Sequence, residues 1–339
     1  MSARVPTMRD VAARAGVGLK TVSRVINGEP NVSPAMIARV QQAAAELDFR
    51  PDFYASRLRR PGRRTHSLGL LVGSVANPFW GAIARAVEDV SAEHGTAVLI
   101  ASVDEDPGRE QPLVAEFVRR HVDGLVLTAV AESQEYVAAE RGRGTQLVFV
   151  DRSPSGVDAD AVVSDNEAGA AAAAAHLVRH GHRRIAYFGD DPLIWTARER
   201  RRGFVEELGR AGIPTAEVPV VESLRDEDTA KRAILEVLSQ PDPPTALFTS
   251  QNLVTIGAIR ALRELGLHRE VALVGFDHVA MGDLLEPGIT VVGQDPYRMG
   301  DVAARLVFAR MAGDESAYER RVVPVRLIER GSGELPPRS

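Results

Sequence analysis

Apolar positions follow two different rhythms along the chain. From Thr7 to Leu47 they recur at helical spacing: Val11, Ala12 and Ala15, then Val22, Val25 and Ile26, then Ile37, Val40, Ala44 and Leu47. Start and stop signals punctuate this segment. Thr7 with Asp10 three residues later opens one helix and Gly16 ends it; a second runs Leu19 to Asn27 and stops at Gly28; Ser33 and Pro34 open a third. Two short helices across a glycine turn, with small Ala12 and apolar Val17, Val22 and Val25, predict a helix-turn-helix whose second helix enters a major groove. A three-helix bundle that docks on protein uses the same pattern. From Ser67 onward the rhythm changes to continuous apolar runs separated by helix-length segments. They are Leu68–Val72, Ala97–Ala101, Gly124–Thr128 and Leu147–Val150, then Arg184–Gly189, Val218–Val221, Ala246–Thr249 and Val271–Phe276. Uninterrupted apolar strands between helices imply parallel sheets covered on both faces, so the class is α/β with two doubly wound lobes behind an all-α headpiece. The predicted division is 1–50 headpiece, 51–64 linker and 65–339 core.

Charge sharpens that division. The 339 residues carry a net charge of −5, but residues 1–64 carry +7 and the remainder −12. A basic module on an acidic body suits phosphate binding at one end, although a basic tail that aids solubility has the same balance. Lys20, one of only two lysines with Lys231, falls on the polar face of the second helix beside Thr21, Ser23 and Arg24. Between Pro51 and Pro61 the chain reads DFYASRLRR, a segment too short to hold a helix alone and predicted to fold on DNA. Ala55 and Leu58 share one face there, with Leu58 suited to wedge between base steps in a minor groove and Arg57, Arg59 and Arg60 to meet phosphates. A plain basic linker is the other reading.

The chain contains no cysteine, which excludes disulfides, thiolate metal sites and cysteine nucleophiles. It has no apolar run of the ~20 residues that span a bilayer and no apolar signal core in its first ten residues, so a cytoplasmic protein is expected. No GxGxxG between strand and helix, no Walker lysine motif and no HExxH spacing occurs, so neither enzyme activity, a metal nor a cofactor is expected. His180 and His182 are read as capping or surface residues. An exported solute-binding protein shares a two-lobed core, but it would need an export signal and would lack the headpiece.

Ligands of doubly wound sheets bind outside the carboxyl ends of the strands, and two facing lobes make a cleft that can close. The loops at those ends hold Asn77, Phe79 and Trp80, then Asp104, then Asp151 and Arg152 in the first lobe. In the second they hold Trp195, Arg200, Gln251, Asn252, Asp277 and Gln294. Aromatic faces with Asp, Asn and Arg suit a polyhydroxylated ligand, although a single strand-end Asp more often caps a helix.

Four stretches carry a family resemblance: TMRDVAARAGVGLKTVSRVING at 7–28, VSPAMIARVQQAAAELDFRPD at 32–52, HLVRHGHRRIAYFGD at 176–190 and VALVGFD at 271–277. Through them the chain resembles the lac repressor and galactose repressor family of bacterial transcription regulators over almost its whole length. The resemblance implies a homodimer on a near-palindromic operator, repressing transcription under control of a small sugar-like effector, on a periplasmic-binding-protein-like core. It implies that Leu19, Lys20 and Arg24 meet bases, that Thr21 and Ser23 meet phosphates, and that Leu58 enters the minor groove with Ala55 beside it. It implies an effector site of Asn77, Phe79, Asp151, Arg200, Gln251, Asp277 and Gln294, with Trp195 as a wall. The lobes are expected to interleave, the first from about 65–163 and 295–322 and the second from about 164–294 and 323–339.

Two departures bear on the ligand. Gln251-Asn252 stands where the family usually has Asn-Asp, and Arg225 falls near a position often held by an aromatic. They leave open an alternative, a corepressor-dependent regulator of a purine or of an acidic or phosphorylated sugar. Beyond Glu329 there is no leucine heptad, so the tetramerising helix of some relatives is not expected. Effector binding is expected to change the angle between the lobes and so decide whether the hinge folds on DNA. Coupling of this kind is typically ~1–3 kcal/mol and reciprocal.

Overall fold

A computed structural model describes residues 6–26, 29–30, 32–49 and 65–338, and the chain forms two compact units, Met1–Thr65 and His66–Ser339. The hinge positions Ala55 and Leu58 lie outside the described residues.

The first unit contains α1 (Met8–Ala15), α2 (Leu19–Ile26) and α3 (Pro34–Glu46). Local signals set its ends. Asp10 accepts from the Thr7 backbone amide at 2.8 Å and from the Thr7 hydroxyl at 2.6 Å, so the carboxylate turns back on the start of α1. Gly16 takes a left-handed φ of 63°, and its amide closes the end of α1. Arg39 on α3 donates to the carbonyls of Ala15 and Gly16, tying the third helix to the turn. Val11, Ala12, Ala15, Val22, Val40 and Ala43 form the core, with Val17, Val25 and Leu47 packed against it. Ile37, expected on that face, is only half-buried, and Ala43 takes the inward position.

The second unit holds two six-stranded sheets. The first has β1 (Ser67–Val72), β2 (Ala97–Ser102), β3 (Gly124–Leu127), β4 (Gln146–Val150), β5 (Asp160–Ser164) and β11 (Arg320–Val323), in the order β11-β5-β4-β3-β1-β2 with all pairs parallel. The second has β6 (Ile185–Phe188), β7 (Val220–Val221), β8 (Ala246–Thr249), β9 (Ala272–Phe276), β10 (Thr290–Gly293) and β12 (Arg326–Ile328), in the order β12-β10-β9-β8-β6-β7. Only β12 runs antiparallel to its neighbour. The helices between the strands are α4 (Pro78–Glu93), α5 (Pro107–Arg119), α6 (Val137–Gly142), α7 (Asn166–Arg179), α8 (Trp195–Arg210), α9 (Glu227–Leu238), α10 (Asn252–Glu264) and α11 (Pro296–Met311).

Both sheets have the same plan, so each reverses strand order at its second element, at β1/β3 and at β6/β8, where doubly wound folds take ligands. The chain passes between the lobes three times: β5 to α7, β10 to α11, and β11 to β12. After Gln294, α11 returns to the first lobe and packs on α4, β3, β4 and β5. Periodicity alone had not singled out β5, β10, β11 or β12.

Backbone-to-backbone approach fixes the helix pairs. At Gly203 on α8 an added Cβ would lie 2.2 Å from the backbone oxygen of Glu167 on α7. Gly203→Ala therefore forces two helices apart, and is expected to cost about 1–3 kcal/mol, read as a lower melting temperature of the core. A variant that melts with the parent would show that α7 and α8 can separate freely.

Candidate functional site

On α2, Val22 is fully buried, which turns Leu19 and Lys20 outward at the helix start; Leu19 is 43% exposed. Thr21, Ser23 and Arg24 are half-buried around the same helix. Arg24 folds back on the following segment, donating to the Pro30 carbonyl at 2.8 Å with Glu29 at 3.5 Å. A lysine at a helix amino end, where unpaired amides already give a positive pole, is suited to an anionic surface.

The second unit carries a cleft of about 510 Å³, open mouth included, walled by both sheets. Its geometry starts at the strand ends. Asp151 after β4 and Asp277 after β9 both adopt left-handed backbone, φ 72° and 74°, which Asp tolerates better than most residues. Each gives its amide to the neighbouring strand, Asp151 to Val162 at 2.8 Å and Asp277 to Val292 at 2.9 Å. The same device therefore brings one carboxylate from each lobe to the cleft. Asn77 caps α4, accepting from the Phe79 amide at 3.1 Å, with Pro78 at the first helical position. Its amide also exchanges hydrogen bonds with Asn252 of the other lobe, at 2.8 and 3.3 Å. Phe79 and Trp80 meet edge to face, 5.2 Å apart, on the first-lobe wall.

Arg200 is the most constrained group in the second lobe. Nε donates to Asn166 Oδ1 and Nη1 to the Ser250 carbonyl, each at 2.7 Å; the guanidinium covers the Phe276 ring at 4.0 Å and approaches Asp277 to 3.8 Å. Gln294 donates to Asp277. Facing them, Arg152 makes a bidentate pair with Glu105, 2.7 Å on each arm, and lies 3.4 Å from Asp151. Gln251 caps α10 and donates to Asp190 at 3.3 Å.

Burial pushes the Asp151 carboxyl up to about 6, with Asp277 and Glu105 adding to the rise and Arg152 and Arg200 opposing it. Burial also pushes Asp190 up to about 6; the Asp191 amide opposes this and Glu105 reinforces it. A carboxyl raised in the folded state contributes stability below its unfolded value that is lost as pH rises through about 6. Asp190→Asn is therefore expected to match the parent's melting temperature near pH 4 and to exceed it by a few degrees at pH 7.5, an effect on the order of 1–2 kcal/mol. Calorimetry across that range checks it, and a variant less stable at pH 7.5 would refute it.

Of the residues expected at the cleft, Asn77, Phe79, Asp151, Arg200, Gln251, Asp277 and Gln294 all line it. Trp195 does not: its indole is directed onto first-lobe apolar residues, with the Arg320 guanidinium 5.6 Å from its ring. Arg225 is exposed, held by Asp191 at 2.8 Å, and is not among the residues that line the cleft, and Asp104 pairs with Arg109. His180 ends α7 as expected, but His182 is fully buried between Thr245 and the Leu335 carbonyl. Glu105 and Asp190 were not foreseen as lining residues. The pair of acids directly after β6, Asp190-Asp191 at a switch point, was the available signal. Among the described residues no group of His, Asp and Glu is placed to hold a metal ion, and no helix is long and apolar enough to cross a membrane.

Residues 7–52 match the model of the bacterial regulatory proteins, lacI family, and residues 174–333 match that of a periplasmic binding protein-like domain. The ribose operon repressor of Halalkalibacterium halodurans is 31% identical over 327 residues, 96% of each chain. Among solved structures, the lac repressor dimer bound to operator and the anti-inducer ONPF superposes with a TM-score of 0.86 at 25% identity, covering 97% of this chain and 99% of that one. The complex of the transcriptional regulator CelR with cellobiose superposes with 0.70 at 32% identity, covering 96% and 99%.

Proposed function

The chain belongs to the lacI family of bacterial regulatory proteins, and from that membership we propose that it is a repressor of transcription whose hold on operator DNA is set by a small sugar-like effector. The observation that carries the reading is one chain holding both devices: a helix-turn-helix with Leu19 and Lys20 outward, and a two-lobed cleft whose polar walls come from both sheets. Two copies bind a near-palindromic site, as a two-fold dimer requires, with Leu19, Lys20 and Arg24 at base edges and Thr21 and Ser23 at phosphates. Ala55 and Leu58 act at the minor groove. The named relatives and neighbours are an operon repressor and sugar-complexed or operator-bound regulators, which supports a cytoplasmic sugar-controlled regulator here.

The mechanism follows from the cleft. The two lobes already touch through the Asn77–Asn252 amide pair, so a ligand gripped by Asp151 on one side and Arg200 and Asp277 on the other biases the angle between them. That angle sets the spacing of the two hinge segments in the dimer. Arg152 is held by Glu105 and Arg200 lies against Asp277, so both cleft cations are positioned by acids, which favours a binding site over a catalytic one. An acidic or phosphorylated effector loses its support, since Arg225 is committed elsewhere and the cleft holds more carboxylates than guanidiniums.

The test is selection of random duplex DNA by the purified chain at about 150 mM salt, where nonspecific binding is weak. A near-palindrome, released or tightened by a sugar, is expected. No enriched motif, with or without sugars and purines, would overturn the reading.

A further inference from the structure

Charge distinguishes this cleft more than its shape does. Four carboxylates, Glu105, Asp151, Asp190 and Asp277, face two guanidiniums, Arg152 and Arg200. Both guanidiniums are committed except at one atom, Arg152 Nε, which has no hydrogen-bond partner among the described residues. Arg152 is clasped by Glu105, and Arg200 is held by Asn166, the Ser250 carbonyl and the Asp277 carboxylate at 3.8 Å. Asp277 also receives the Gln294 amide.

Among the described residues, neither Asp151 nor Asp190 accepts a hydrogen bond from a guanidinium. The cation nearest to Asp151 is the Arg152 Nε, 3.4 Å away, on a side chain already neutralised by Glu105. Asp190 accepts only neutral donors, the Asp191 amide at 2.7 Å and Gln251 Nε2 at 3.3 Å. Glu105 of the facing lobe disfavours its ionisation, while Arg152 and Arg225 favour it.

A third acceptor points the same way. Gln294 is 6% exposed and lines the cleft, and its Oε1 has no hydrogen-bond partner among the described residues. Its orientation is fixed, because turning the amide over would set Oε1 against the Asp277 carboxylate that Nε2 now serves. The cleft therefore presents unserved acceptors and an excess of two negative charges. A neutral polyol supplies donors without charge, and an anion is repelled. A protonated amine supplies three donors and one positive charge in a compact head.

We infer that the effector is a polyhydroxylated amine, of the amino-sugar class, whose ammonium is held by Asp190 while its ring hydroxyls meet Asp151, Asp277 and Gln294. The inference rests on the reading of the cleft as a sugar-effector site and narrows it. An ammonium held by Asp190 places a positive charge in a cleft that Glu105 and Asp151 line from the other lobe, so this ligand favours closure more than its neutral parent does.

The test is titration calorimetry of the full chain at pH 7.5 with glucosamine, galactosamine and mannosamine, each beside its parent hexose and its N-acetyl derivative, which keeps the ring and loses the charge. At least one amine is expected to bind about tenfold or more tightly than both neutral forms. Asp190→Asn is expected to weaken the amine about tenfold more than the hexose, so that the advantage is lost. A hexose or N-acetyl form that binds as tightly as its amine, an Asp190→Asn variant that weakens both alike, or three amines that fail to bind each overturns the inference. Should Asp190→Asn not fold, the ligand series on the unaltered chain decides alone. A hexose that binds as tightly as its amine and shifts operator retention overturns the amine and leaves the sugar-controlled repressor standing, whereas a chain that retains no operator with or without sugars overturns the repressor itself.

Discussion

Val22→Asp is expected to abolish operator recognition while leaving ligand binding by the core intact. Val22 is fully buried in α2, in one apolar cluster with Val11, Ala12, Ala15, Val40 and Ala43. A carboxylate there costs several kcal/mol unless it finds a partner, and a unit with so small an apolar core has little stability to spare. The recognition helix then loses the packing that turns Leu19 and Lys20 outward. Operator affinity is expected to fall to the nonspecific level, about 10³-fold or more, as measured by fluorescence anisotropy on the selected duplex. The core is a separate compact unit, so its melting transition and its ligand titration are expected to stay where they were. Val22→Ala gives the graded version, on the order of 1–3 kcal/mol of headpiece stability. Operator binding by Val22→Asp within tenfold of the parent would show that α2 is not the reading helix.

The headpiece was legible in the sequence because its determinants are local. Helix ends were written into Thr7, Asp10, Gly16, Ser33 and Pro34, and one face of α2 into Val22, Val25 and Ile26. The eight longer apolar runs of the core were legible for a similar reason. Strands with polar residues in them were not: β11 opens on Arg320 and Arg321, and β12 places Arg326 beside Leu327, so neither stands out from its surroundings. Strand order lies further from sequence still, since β11 joins β5 across more than a hundred residues.

The cleft divides along the same line. Asn77, Asp151, Gln251 and Asp277 could be found because a strand end locates them. Glu105 and Asp190 gain their meaning only when the two lobes face each other, and no local pattern records that juxtaposition. Trp195 shows the converse. Its neighbours Ile194 and Thr196 line the cleft, but the helical turn directs the indole onto the other lobe. Position along the chain located the loop, and the direction of the side chain decided the role.

Arg200→Lys is the second large effect, and it separates charge from geometry. The planar guanidinium donates to two acceptors in fixed directions, Asn166 Oδ1 and the Ser250 carbonyl, and lies 3.8 Å from a third, the Asp277 carboxylate, while stacking on Phe276. A lysine keeps the charge but brings one ammonium on a flexible stem, which cannot reach all three and does not stack as a plane. At least one buried acceptor is left without its donor, and Asp277 loses the neighbour that fixes its position. Hydrogen bonds to charged groups are worth about 1.5–3 kcal/mol, so affinity for the sugar that most stabilises the parent is expected to fall about 10- to 100-fold. Operator affinity without ligand is expected to stay within a few-fold, because the headpiece is a separate unit. Linkage then requires the operator response to shift to correspondingly higher sugar concentration, since a ligand acts on DNA binding only through its own differential affinity. Titrating sugar against operator-bound protein reads both quantities at once. A Lys variant with unchanged sugar affinity would remove Arg200 from the binding site. One with weakened sugar affinity but an unshifted operator response would break the link between the cleft and the DNA.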